Sequence, residues 1–213
     1  MKRKDVMELQ KIAAIEAFIG ENLYVYIERK LGIDWRIAVE EKRITPYVQR
    51  LIDNSKYFSS QLKGRTNEEV IEQIVFSRCI ELRLIEKWQN TVRLNGRDRD
   101  LLITEYSSYQ PDLKERDSDY YYEIVCTYNG QFVLNGSVFI KEAKFNYLME
   151  FSKIHNVFIV AVDVLSQKYC FIPINSELCE MPYITEAPVT GKQIDVRNID
   201  WFSLSESDFI VDV

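Results

Sequence analysis

The run Val157-Phe158-Ile159-Val160-Ala161-Val162-Asp163-Val164 constrains the fold of this chain more than any other segment. It is rich in β-branched residues and interrupted by a single charge. A strand with one wet face alternates apolar and polar residues, and this one does not. It is therefore expected to be a strand buried on both sides, which requires a sheet covered on each face.

The segments around it supply the cover. Residues 7–31 read as helix, with Leu9, Ile12, Ile15, Leu23 and Ile27 at helical spacing, Gly20 as an interruption and Gly32 as a stop. Residues 34–62 read as two shorter helices around Pro46. Thr66 is placed to cap a helix running to about Trp88, with Glu69 closing a capping box. The period then changes. Thr91 to Leu94 and Leu101 to Tyr106 read as strands joined through the turn Asn95-Gly96. Ser107 to Ser118 reads as a polar loop, and Tyr120 to Thr127 as a central strand. Gln131 to Leu134 reads as a short strand bracketed by Asn129-Gly130 and Asn135-Gly136. Ser137 is expected to cap a helix reaching about Ile154. Lys168 to Ile174 reads as a strand stopped near Pro173, and the remainder as loop-rich, anchored by Trp201 and Phe202. The expected fold class is α/β (α+β), a mixed sheet flanked by helices. The expected division is a helical region at 1–65 and an α/β core at 66–213.

Composition narrows the function classes. Of 213 residues, 46% are hydrophobic, enough for a packed core and against disorder. No run has the length of a transmembrane helix, and no apolar signal core follows the basic start, so an intracellular, cytoplasmic protein without a membrane partner is expected. Cys79, Cys126, Cys170 and Cys179 lack CxxC spacing and His155 is the one histidine, which argues against a Cys/His zinc site. The net charge of −6 excludes a wholly basic surface and leaves room for a local stripe such as Arg93, Arg97 and Arg99.

The chemistry-bearing residues lie between Asp100 and Lys144. Asp100 opens the apolar run Leu101-Leu102-Ile103, Asp112 follows Pro111, and Glu123 lies inside the aromatic strand Tyr120 to Thr127. Lys141 and Lys144 follow. Two acids on neighbouring strands can share a divalent cation, and a nearby lysine can steer a water, which is the equipment of metal-assisted phosphodiester hydrolysis. Plainer readings exist for each. Asp100 after Asn-Gly suits turn chemistry, the tyrosines suit sheet packing, and His155 suits a helix C-terminus.

Over residues 67–175 the order of elements resembles the PD-(D/E)XK nuclease superfamily, which includes restriction endonucleases and archaeal Holliday-junction resolvases. The resemblance implies a helix carrying an acid, a β-meander carrying an aspartate and an acid-x-lysine, then a helix and a strand. Glu81, with Glu72 second, would be the helix acid. Asp100 or Asp112 would be the metal aspartate. Asp112 carries the literal Pro-Asp, whereas Asp100 is favoured by the apolar run after it, since Leu113-Lys114-Glu115-Arg116 is poor core strand. Glu123 would be the motif acid. The third motif position holds Val125, so the lysine is expected on the following helix as Lys141 or Lys144. The implied cofactor is Mg²⁺ (or Mn²⁺) on Asp100, Asp112 and Glu123. The implied partner is duplex or branched DNA, contacted through Arg93, Arg97, Arg99 and Lys153, with a homodimer formed through residues 1–65. The implied function is a metal-dependent endonuclease of the restriction or junction-resolving type. The alternative, supported by Val125 and the net charge, is a catalytically inactive scaffold that binds nucleic acid or protein.

Overall fold

The computed structural model describes residues 3–31, 76, 79–80, 82–88, 91–93, 110–128, 130–175, 183–186 and 189–203, the backbone alone at some of them. The chain divides into two compact units, one made of 15–84 and 96–108 and the other of 1–14, 85–95 and 109–213.

In the first unit the helical pattern breaks where Gly20 interrupts it. Helix α1 (Arg3–Ile19), which begins in the second unit, ends as Gly20 adopts φ +79 and its N–H donates to the Glu16 carbonyl at 2.8 Å. Glycine takes this left-handed conformation without the Cβ penalty. Helix α2 (Leu23–Leu31) restarts at once. The Asn22 side-chain oxygen accepts from the amides of Tyr24 and Val25, and Glu16 Oε1 accepts from the Leu23 amide at 2.9 Å. Ile15, Phe18, Leu23, Tyr26 and Ile27 are buried, as are Phe76, Ile80 and Leu84. The segment 82–87, α3, is helical up to the expected end near Trp88.

The second unit is a mixed α/β structure. Its strands are β1 (Thr91–Arg93), β2 (Leu113–Glu115), β3 (Tyr120–Thr127), β4 (Ser137–Lys141), β5 (Asn156–Asp163), β6 (Lys168–Pro173), β7 (Tyr183–Glu186), β8 (Val189–Asp195) and β9 (Phe202–Ser203). Between them lie α4 (Gln131–Asn135) and α5 (Glu142–Phe151). One sheet runs β1-β2-β3-β5-β6-β9 and a second runs β4-β8-β7. β3 and β5 are parallel, pairing from Tyr120↔Asn156 to Thr127↔Asp163, and the other pairs are antiparallel. The apolar run takes the central place its composition demands. Ile159, Val160, Ala161 and Val162 are fully buried.

Period-2 alternation sorts the larger sheet into two faces. Tyr121, Val157, Ile159, Ala161, Cys170 and Ile172 share one core with Val138 and Ile140 of β4, Ile194 of β8, and Phe145 and Leu148 of α5. The opposite face is aromatic. Trp88 lies 5.8 Å from Tyr122 and 6.0 Å from Phe171, and Tyr169 stacks on Phe202 at 5.6 Å.

Four sequence expectations are corrected. Residues 131–135 form a helical turn rather than a strand, because Gly130 (φ +76) and Gly136 (φ +63) wind the chain and the buried Asp163 carboxylate accepts from the Val133 amide at 3.1 Å. Ser137 opens β4 instead of capping a helix, and the helix is confined to Glu142–Phe151. The polar loop contains β2, which pairs with both β1 and β3. The loop-rich end contains β7, β8 and β9. The expected strand Leu101 to Tyr106 and the helices of 34–62 lie outside the described residues.

Two measurable consequences follow from this packing. Gly191 sits mid-β8, paired with Lys141 on one side and Ile184 on the other. A Cβ there would overlap the Ile140 carbonyl oxygen and the Phe139 ring. Backbone cannot yield as a side-chain tip can, so Gly191→Ala is expected to cost about 1–3 kcal/mol in urea unfolding. The second consequence is alkaline lability. Burial pushes the Cys170 thiol from 9.0 up to about 12. Burial, with the negative Glu115 nearby and then Tyr120, pushes the Tyr122 phenol from 10.0 up to about 12. Both groups stay neutral in the fold where the unfolded chain would ionise them. The stability they contribute is therefore present below pH 9.0 and lost as pH rises toward about 12. Unfolding titrations across that range should steepen, and Cys170→Ala should flatten the lower part.

Candidate functional site

Asp112 stands immediately before β2, after the buried Pro111. The β2–β3 register pairs Leu113 with Tyr122 and Lys114 with Tyr121, and Asp112 lies at a bend just ahead of this ladder. Asp112 is also tied to β3 directly, because its Oδ2 accepts the Ile124 amide at 2.8 Å. Glu123 is 9% exposed and belongs to the face on which Tyr121 packs under α5.

Lys144 comes to this pair from α5. Its ammonium lies 2.7 Å from Glu123 Oε2 and donates to the Gln110 carbonyl at 3.0 Å. Both side chains are largely covered, 18% exposed for Lys144 and 11% for Glu123, so the ion pair is poorly screened. Lys144 is the third residue of α5, whose N-cap Lys141 makes no side-chain cap hydrogen bond. A cation near a helix N-terminus is disfavoured by the backbone dipoles. Here the Glu123 carboxylate and the first-turn acid Glu142 offset that cost. The helix is held in place by Phe145 and Leu148, both buried in the core between the sheets.

The expected site residues separate as follows. Glu123 and Lys144 meet in an ion pair, and Asp112 is bonded to the backbone of the residue after Glu123. Lys141 ends β4 in an exposed position, paired in register with Gly191, and is not in the helix where it was expected. Asp100, Glu81 and Glu72 lie outside the described residues, as do Arg97 and Arg99; for Arg93 the backbone alone is described, at the end of β1. Lys153 is paired with Glu150 at 2.6 Å at the far end of α5. His155 Nδ1 lies 2.6 Å from Asp119 Oδ1, linking the residue before β3 to the residue before β5. Val125 is half-buried against the core, so the strand itself offers no lysine beside Glu123.

Sequence reasoning passed over three residues of this region. Gln110 acts through its main-chain carbonyl, which no side-chain pattern reveals. Lys114 lies on β2 opposite Tyr121, on the face that also carries Glu123, a position that the loop assignment concealed. Lys192 is 2% exposed on β8, opposite Ile140, with its ammonium 5.4 Å from the centre of the Phe145 ring. A lysine at a core-facing strand position has no sequence signature.

The donor set is two carboxylates and an ammonium. Among the described residues no group of three or more His, Cys, Asp or Glu is gathered to hold a metal ion. Two carboxylates still suit Mg²⁺, a hard cation that prefers oxygen and keeps several of its waters. Among the described residues no helix is long and apolar enough to cross a membrane. Comparison with family models, with curated proteins and with solved structures found no match for this chain.

Proposed function

We propose that this chain is a metal-dependent phosphodiesterase acting on DNA, an endonuclease of restriction or junction-resolving type, built on a restriction-endonuclease-like core. The observation that carries this reading is the 2.7 Å approach of the Lys144 ammonium to Glu123, with the Asp112 carboxylate held 2.8 Å from the amide of the next residue, Ile124. The order of elements supports it too. A meander β1-β2-β3 carries the aspartate and the glutamate, then a helix carries the lysine, and β5 returns parallel to β3.

In this reading Asp112 and Glu123 hold Mg²⁺ or Mn²⁺ through carboxylate oxygens. The cation, when bound, supplies charge neutralisation at the phosphate and a more acidic water. Lys144 orients the attacking water and offsets charge that develops on the phosphate oxygens. The Gln110 carbonyl and the covering of α5 fix the ammonium in one place, so that little reorganisation is required. Glu81 and Asp100 remain candidates for a further acid. A dimer through residues 1–65 would set two such sites on two strands.

The test is incubation of supercoiled plasmid and of a four-way DNA junction with the purified chain, with Mg²⁺, Mn²⁺ or EDTA. Cutting that needs the cation supports the reading, and its absence under all conditions removes it. A second reading is favoured by one observation. Val125 occupies the usual lysine position, so the Glu123–Lys144 pair can serve simply to clamp α5 to β3 in an inactive scaffold that binds nucleic acid or protein. DNA binding without cutting would select it.

A further inference from the structure

We propose that Lys114 holds the phosphate adjacent to the one at Asp112 and Glu123, so that the substrate is a polynucleotide chain and not a lone phosphodiester or a mononucleotide. The inference rests on the function proposed above and adds a residue that positions the chain beside the reacting phosphate.

Lys114 pairs across the strands with Tyr121, and Tyr121 and Glu123 are two residues apart along β3, so Lys114, Tyr121 and Glu123 share one face of the sheet. Two strand residues span about 7 Å. Successive phosphates along a nucleic-acid backbone have a comparable spacing. A phosphate at the two acids therefore puts its neighbour within reach of Lys114.

The ammonium is also held ready. It lies 5.3 Å from the centre of the Tyr121 ring, its partner across the strand pair. Tyr121 is itself fixed, 8% exposed, with Phe151 edge-on at 4.9 Å and His155 at 4.8 Å. Ring faces attract cations without neutralising them. Lys144 and Lys153 are each paired with a carboxylate, whereas Lys114 has no ion pair among the described residues. Its full charge is thus available to an anion, one step along the strand pair from the acids. A contact of this kind positions a chain without reading its bases.

The experiment compares wild type, Lys114→Ala and Lys114→Arg by two readouts. The first is anisotropy of a labelled oligodeoxynucleotide in EDTA across a salt series. The second is the ratio of kcat/KM for that oligonucleotide to kcat/KM for bis(p-nitrophenyl) phosphate with Mn²⁺. Lys114→Ala is expected to lower the salt slope of binding by about 1 and to weaken binding about tenfold at low salt. The kcat/KM ratio should fall by a similar factor, and Lys114→Arg should restore both. An unchanged slope, or equal losses on the two substrates, would overturn the assignment. If wild type hydrolyses neither substrate but the slope still falls, the hydrolytic reading fails and the Lys114 contact stands. If wild type cleaves the small diester and Lys114→Ala leaves the slope intact, the reverse holds.

Discussion

Glu123→Gln is expected to reduce metal-dependent DNA cleavage by at least about a hundredfold while leaving the chain folded. The amide keeps the size of the carboxylate and its place beside Lys144, but it loses the charge that would hold a divalent cation in the proposed reading. The stability cost should stay within about 1–3 kcal/mol, because the amide keeps the shape of the carboxylate and only the largely covered ion pair is lost. Cleavage rate at saturating Mn²⁺ and a thermal melt separate the two effects. A folded variant that cuts as fast as wild type would remove Glu123 from the chemistry. A variant that fails to fold is answered by Lys144→Met, which removes the ammonium and keeps much of its apolar stem. If that variant is folded and equally active, the pair is structural.

The second large effect is expected at Phe145. It is 2% exposed, it anchors α5 between the two sheets, and Lys192 lies over its ring. Phe145→Ala opens a cavity that surrounding strands can only partly close, at a cost of about 3–5 kcal/mol by urea unfolding. The neighbouring Lys144 depends on this anchor for its position, so cleavage measured well below the melting temperature should fall as well. A loss under about 1 kcal/mol would mean that the helix is not packed through this ring.

How much was legible depended on whether a segment's own composition decided its structure. The buried strand at 157–164 was legible because nothing but a central strand accommodates that run. Tyr120 to Thr127 and the break at Gly20 were legible for similar local reasons. β2 was not, because Leu113-Lys114-Glu115 has little strand propensity and is made a strand by its partners on both sides. The loop reading also set the order of the two aspartates. Asp100 is preferred to Asp112 where the residues after Asp112 read as loop; those residues pair with β3, and Asp112 accepts the Ile124 amide, while Asp100 lies outside the described residues. β4 was hidden by Ser137, a good cap residue ahead of helically spaced apolar positions, although Val138, Phe139 and Ile140 favour a strand. Five residues such as 131–135 are too few for either period to assert itself. Lys144 was placed in a helix, and its meeting with Glu123 depends on a crossover that no local pattern encodes.

The bond from the Ile124 amide to Asp112 has a consequence for how such a chain would age. Beyond Leu113 the backbone ladder on that side of β3 ends on a carboxylate. Asp112 therefore supports the sheet whether or not it also serves the proposed site. Glu123 and Lys144 hold each other and can be exchanged together for an apolar pair of similar volume at little cost. A descendant freed from catalysis would shed that pair first and keep the aspartate, so a solitary Pro-Asp before a short strand would be the last trace of the lost chemistry.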